Sequence, residues 1–170
     1  PGNGDPTVAA KLLDIVLGCF WITKTVDNDK GEGQVFESPD AAVIARDFGG
    51  IGFRAKIKVL PTDSPKFAEF GGKIFETTVG RILFNQVLPD DYPYINKEID
   101  RKRMTAIIDD LLIRYDTTYA TMVLDKIKSF GFKFTTKSGT TWAIDDITVP
   151  EGKAAVITEA KGKADVVQGQ

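Results

Sequence analysis

The sequence predicts an α+β chain, a small mixed sheet beside a helical hairpin, on three observations. Arg54, Lys56 and Lys58 alternate with Ala55, Ile57 and Val59, the period of a half-buried strand. Val79, Ile82, Leu83 and Val87 have helical spacing, and Pro89 stops that helix. From Asp100, Met104, Ile107, Ile108, Leu111 and Leu112 recur at three and four residues through about Tyr115, and a second amphipathic segment follows a short connection.

The remaining elements follow in chain order. Leu12, Leu13, Ile15, Val16, Leu17, Cys19, Phe20, Trp21 and Ile22 are apolar nearly all round a helix, which suits an element buried on several sides. Asp27 to Gly33 is polar and glycine-bearing, a loop. Ser38-Pro39-Asp40 starts a short helix, with Ser38 as N-cap and Pro39 in the first helical position, and Gly49-Gly50 ends it. Pro61 to Gly72 is a loop or hairpin connection, Lys73 to Thr77 the returning strand, and Asp90-Asp91-Tyr92-Pro93 an extended or turn segment. In the second hairpin helix, Asp116 or Thr117 caps the start, Tyr119, Met122, Val123, Ile127 and Phe130 face inward, and Gly131 ends it in the left-handed conformation. Phe132 to Trp142 reads as extended and broken by Ser138-Gly139; Pro150-Glu151 opens a final alanine-rich helical tendency weakened by Gly152, Gly162 and Gly169.

Bulk properties exclude more than they name. A chain of 170 residues fits one or two small domains with a real core. With 22 Lys+Arg against 24 Asp+Glu it is nearly neutral, so no bulk attraction to nucleic acid follows. The absence of His removes Ser-His-Asp and Cys-His catalysis from this chain. One cysteine, Cys19, can build neither an internal disulfide nor a thiolate zinc site, which points to a reduced, intracellular compartment. No stretch approaches the roughly 20 apolar residues of a membrane span, and Pro1 to Pro6 is not a signal peptide. A soluble protein without a membrane partner is expected.

Paired carboxylates are the obvious candidates for chemistry. Asp145-Asp146 could ligate Mg2+ through oxygen, as a small Mg2+-dependent hydrolase would require, but adjacent residues point in different directions and turn or cap roles suit them better. Asp109-Asp110 on a polar helix face and Asp90-Asp91 in a turn are accounted for by solvation. Thr77-Thr78 with Gly80 resembles a phosphate cradle at a helix N-terminus, yet no second glycine and lysine stand in P-loop spacing; hydroxyl capping is the better account.

The order Thr77-Thr78-Val79-Gly80-Arg81-Ile82-Leu83-Phe84-Asn85-Gln86-Val87-Leu88-Pro89, then Tyr92-Pro93-Tyr94-Ile95-Asn96, combines uncommon neighbours. It resembles a segment of the largest subunit of multisubunit DNA-directed RNA polymerase, bacterial beta-prime type. Four further stretches occur in the order of that family: Asp14 to Lys24, Lys30-Gly31-Glu32-Gly33, Arg54 to Val59, and Phe132 to Pro150 with Lys137-Ser138-Gly139 and Ile144-Asp145-Asp146-Ile147.

The resemblance implies a fragment of a multidomain subunit, cut at both ends. Residues 1–72 would be the end of the active-site domain with its linking strand and loop region, 73–150 the pore domain of the secondary channel, and 151–170 the start of the rim or funnel helix. It implies a wall past which nucleotides enter and backtracked RNA exits, in a cytoplasmic nucleotidyltransferase. The partners would be the rest of beta-prime, the beta, alpha and omega subunits, DNA, RNA and nucleoside triphosphates, and regulatory factors at the rim. The Mg2+ ions would be held by an aspartate loop outside this chain, so the fragment alone should be inactive and bind no metal. Lys137 beside Ser138 and Gly139 fits a pore-facing cation that attracts phosphates; Thr77, Thr78, Gly80 and Arg81 fit structural anchoring. Glu159, Lys161, Lys163 and Asp165 could face a rim factor. Phe20, Trp21 and Phe84 are expected to be incompletely covered without the rest of the assembly. An alternative is a stand-alone interaction module related to the pore domain and without catalysis.

Three departures from the family pattern bear on roles. Lys11-Leu12-Leu13-Asp14 stands where the family has Pro-Ser/Thr-Gln-Asp, losing an amide side chain beside the active centre. Lys137 stands where Arg is frequent, keeping the charge without the planar fork. Asp90 stands where a basic residue is common, which argues against an anionic effector at that turn.

Overall fold

The computed structural model describes residues 6–140 together with 157, 158 and 160. Its elements are α1 (Pro6–Thr23), β1 (Val35–Phe36), α2 (Pro39–Asp47), β2 (Ile57–Val59), a 3-10 turn (Pro65–Phe70), β3 (Phe75–Thr77), α3 (Val79–Val87), α4 (Arg101–Arg114) and α5 (Thr117–Ser138). The three strands lie in the order β1-β2-β3, the first pair parallel and the second antiparallel. This is an α+β fold with a small mixed sheet.

Side-chain caps set the helix starts, because the first backbone N–H groups of a helix have no partner within it. Ser38 accepts from Ala41 N at 3.1 Å, Thr78 from Arg81 N at 3.2 Å and Asp100 from Arg103 N at 2.7 Å. Asp116 accepts from both Thr118 N and Tyr119 N. The strand alternation is shorter than its sequence pattern. Ile57 and Val59 are buried and Lys58 exposed, but the Arg54 and Lys56 carbonyls bond to Val26 N and Gly33 N of the preceding loop instead of to a strand.

The largest difference from the pattern lies in α5. It runs straight through Gly131 to Ser138, so residues 132–138 are helical rather than extended, and the left-handed terminator is Gly139 at φ 61. Gly131 is a crossing point, not a stop. A Cβ there would sit 2.7 Å from both Cγ2 and the carbonyl oxygen of Ile15, and a Cβ on Gly18 would overlap the Gly131 carbonyl oxygen. With α1 this close, the inward stripe of α5 is Ala120, Val123, Ile127, Gly131 and Phe134. Tyr119 and Met122, expected inside, are 39% and 53% exposed. The hairpin helices α4 and α5 do touch, but α5 packs far more extensively along α1.

Two apolar clusters make up the core, and α3 belongs to both. Phe84 and Leu88 join Cys19, Ile99, Met104 and Leu111 among the helices, while Val79 and Ile82 join Ala42, Ile57, Val59 and Phe75 on the sheet. Phe84 is fully buried, contrary to the expectation that it awaits an outside partner, because α1, α4 and α5 already enclose it. Phe20 and Trp21 are partly exposed, carrying Lys24 and Arg54 over their rings at 5.6 and 4.6 Å.

Gly80 marks a second backbone crossing: a Cβ there would overlap the Ile22 carbonyl oxygen at the end of α1. Gly80→Ala should therefore lower the unfolding free energy by about 3 kcal/mol, the upper range for forced overpacking. Gly131→Ala should cost about 2 kcal/mol by the same mechanism. Urea denaturation of both variants measures this, and a loss below about 0.5 kcal/mol, ordinary for a surface change, would show that the helices do not meet as described.

Candidate functional site

Where α3 crosses the end of α1, the last carbonyls of α1 are shut away from water and need donors from the protein. Arg81 supplies one: its Nε donates to the Thr23 carbonyl at 3.0 Å, and its terminal nitrogen donates to both the carbonyl and the side-chain oxygen of Asn96 at 3.2 and 3.1 Å. Burial lowers the Arg81 pKa, although Glu98 and Glu76 lie near enough to oppose the shift. The Thr23 hydroxyl donates to the Cys19 carbonyl at 2.6 Å and accepts from Ile99 N at 2.8 Å. The end of α1, the start of α3 and the segment leading into α4 are thereby tied at one point.

Asn85, fully buried in α3, makes the second tie. Its amide exchanges a pair of bonds with the Ile95 backbone, accepting from the N–H at 2.8 Å and donating to the carbonyl at 2.9 Å, and donates again to the Arg81 carbonyl. Lys66 reaches in from the 3-10 turn and donates to the Asn85 and Leu88 carbonyls, closing the C-terminal end of α3. It is only 7% exposed, and desolvation lowers its pKa. Lys66, Phe67, Ile82, Asn85 and Tyr94, together with Asp40 and Asp90, line a cavity of about 220 Å3.

The anchoring candidates thus lie together: Thr77 shares a hydrogen bond of 2.8 Å with the Tyr94 hydroxyl, Thr78 caps α3, Gly80 makes the crossing and Arg81 spans it. The channel candidates lie elsewhere, at the end of α5. The Ser138 hydroxyl donates to the Thr135 carbonyl at 2.7 Å, and Gly139 ends the helix. The exposed Lys137 places its ammonium 4.5 Å from the centroid of Phe53, whose ring also carries Arg46 at 3.7 Å and meets Phe134 edge-on at 5.6 Å. Desolvation lowers the Lys137 pKa, reinforced by the charges of Arg46 and Lys133 and opposed by Asp47.

The carboxylate pairs divide in two. Asp110 holds Arg114 at 2.8 Å, Asp91 accepts from the Tyr115 hydroxyl at 2.8 Å, and neither is left to serve a metal by itself. Asp145 and Asp146 lie outside the described residues, as do Glu159, Lys161, Lys163 and Asp165. Among the described residues no three His, Cys, Asp or Glu side chains converge where they could hold a metal ion. No described helix is long and apolar enough to cross a membrane.

Compared with known proteins, residues 1–147 match the family described as RNA polymerase Rpb1, domain 3. The chain belongs to that family. It is 40% identical, along its whole length, to the DNA-directed RNA polymerase subunit beta' of Sulfurihydrogenibium sp. (strain YO3AOP1), covering 10% of that subunit. It is 39% identical over 99% of its length to the subunit beta' of Saccharopolyspora erythraea, covering 13% of it, and 38% identical over 100% to that of Nocardioides sp., covering 14%. The chain therefore spans no more than about a seventh of these curated relatives.

Within this Rpb1 domain 3 chain, sequence reasoning singled out Arg81 and Lys137 but passed over Thr23, Lys66, Asn85, Phe53 and Arg46. One signal was present: Asn85 falls three residues after Ile82 on the apolar side of α3, where a polar residue needs a partner. Asn85→Ala removes that partner from Ile95, and should cost about 2 kcal/mol because two part-buried backbone groups lose their bonds. Denaturant titration checks this; a cost near zero would mean that water replaces the amide.

Cys19 is fully buried, and burial pushes its thiol from 9.0 up to about 12. Below pH 9 both folded and unfolded forms keep the proton. Between about 9 and 12 the unfolded thiol ionises and the folded one does not, so this group makes stability fall as pH rises through that window. Native protein at pH 8 should accordingly resist iodoacetamide until denaturant is added, as mass spectrometry of the alkylated chain would report. Rapid labelling of the folded chain would contradict the burial.

Proposed function

We propose that this chain is a wall segment of a bacterial-type polymerase beta-prime subunit, lining the secondary channel through which nucleotides reach the active centre and backtracked RNA leaves. The single observation that carries this reading is the end-to-end alignment with subunits named beta', without an unmatched half that would call for a separate activity. In this reading residues 1–72 close the active-site domain, 73–150 form the pore domain and 151–170 begin the rim. The segment works in the cytoplasm with the rest of beta-prime, beta, alpha and omega, and with DNA, RNA and nucleoside triphosphates; regulatory factors dock at the rim.

The division of labour follows from the two sites. Arg81, Thr78, Gly80 and Thr77 keep the wall rigid, since their polar groups are spent on the α1–α3 crossing and on the segment that follows it. Lys137 supports passage: an exposed ammonium at the end of a helix attracts phosphate while holding it loosely enough to let it go. Polymerisation belongs to the complete enzyme, and this segment by itself does no chemistry.

The test uses the assembled polymerase carrying this segment. A benzophenone amino acid at position 137 should crosslink the 3′ end of backtracked RNA, and Lys137→Ala should raise the nucleotide KM about fivefold at unchanged kcat, for roughly 1 kcal/mol of lost attraction in a high-dielectric channel. That effect should shrink at high salt. Crosslinks to protein alone, together with an unchanged KM, would remove Lys137 from the channel.

A further inference from the structure

We infer that Phe53 is the positioning residue for Lys137, holding its ammonium on the ring face while Arg46 keeps the neighbouring carboxylate engaged, so that Lys137 has no ion pair among the described residues and is available to an anion. The inference rests on the reading of Lys137 as a channel cation and adds how that cation is held.

Three separate parts of the chain meet here. Phe53 comes from the loop before β2, Arg46 from the last turn of α2, and Lys137 from the last turn of α5. Phe134, 3% exposed and edge-on to Phe53, fixes the ring from the side of α5. The Phe53 carbonyl is in turn bonded by Gly80 N at 2.8 Å, which ties the ring's backbone to the α1–α3 crossing. The platform is therefore part of the rigid frame.

The charges around it are arranged so that, among the described residues, Lys137 makes no ion pair with a carboxylate. Asp47 is the acidic group that acts on Lys137, and Arg46 holds it at 2.8 Å. Lys133 stands one helical turn earlier, over Phe134 at 5.7 Å, and adds positive potential. Among the described residues no carboxylate makes an ion pair with Lys137. A long flexible lysine without an ion pair would ordinarily wander; contact with a quadrupolar ring face restrains it while the side chain stays exposed to a ligand.

The experiment uses the 170-residue chain with lysine Cε carbons labelled for NMR and inorganic triphosphate as probe. The Lys137 Hε resonances should show an upfield ring-current shift that disappears in Phe53→Leu and persists in Phe53→Trp, with the Gly80 and Gly131 amide signals unchanged as the check on folding. Triphosphate should perturb Lys137, and its Kd should weaken about fivefold in Phe53→Leu, the scale of one exposed cation–π contact, but not in Phe53→Trp. No ring-current shift in the parent chain, or equal triphosphate affinity in the parent and Phe53→Leu chains, overturns the positioning role. An intact, Phe53-dependent ring-current shift with no triphosphate response anywhere near Lys137 supports the platform and overturns the channel reading instead.

Discussion

The backbones of α1 and α3 touch at Ile22 and Gly80, and the remainder of the chain is arranged around that contact. Two helices that meet with no side chain between them squeeze out water, so every polar group at the end of α1 must find a protein partner. Thr23 and Arg81 meet that requirement, and both reach onward to residues 96 and 99. One steric fact therefore dictates where the chain goes after Pro89. It must run back beneath α3, where Asn85 clasps Ile95, before α4 can start at Asp100.

The second close approach, between Gly18 of α1 and Gly131 of α5, sets how the long helix lies along α1. Sliding α5 against α1 by one turn would bring a side chain into the position of Gly131, which the packing cannot accept. Register is thereby locked, and the Thr135 hydroxyl adds a bond to the Asp14 carbonyl on the same face. Three and six residues past the crossing, the helix places Phe134 and Lys137 beside Phe53.

Much of the architecture could be read without coordinates. Ser38, Asp100 and Asp116 lie at helix starts because a capping oxygen bonds N–H groups two or three residues away, an interaction wholly contained in a short window. Ile57 and Val59 face inward as their alternation demands. Gly131 is a crossing rather than the stop its position suggests, because a glycine after an apolar stripe looks the same whether it ends a helix or lets another helix approach. Tyr119 and Met122 lie outside the buried stripe for a related reason: the apolar residues of α5 cover more than one face, and the neighbour that selects the buried one, α1, is far upstream in the chain. Lys66 gave no signal at all, since a lysine in a polar loop ordinarily points to water.

Local chemistry in the amino-acid order was enough to set the caps, the strand period, the proline stop at the end of α3 and the ordered motifs that reveal the family. Those depend on neighbours within a few residues. Which glycines are crossings, which face of α5 is covered, and that Arg46, Phe53 and Lys137 share one ring were settled only in three dimensions. Each of these joins residues far apart in sequence, and such a meeting is decided by close packing between elements rather than by the conformational preference of any one of them.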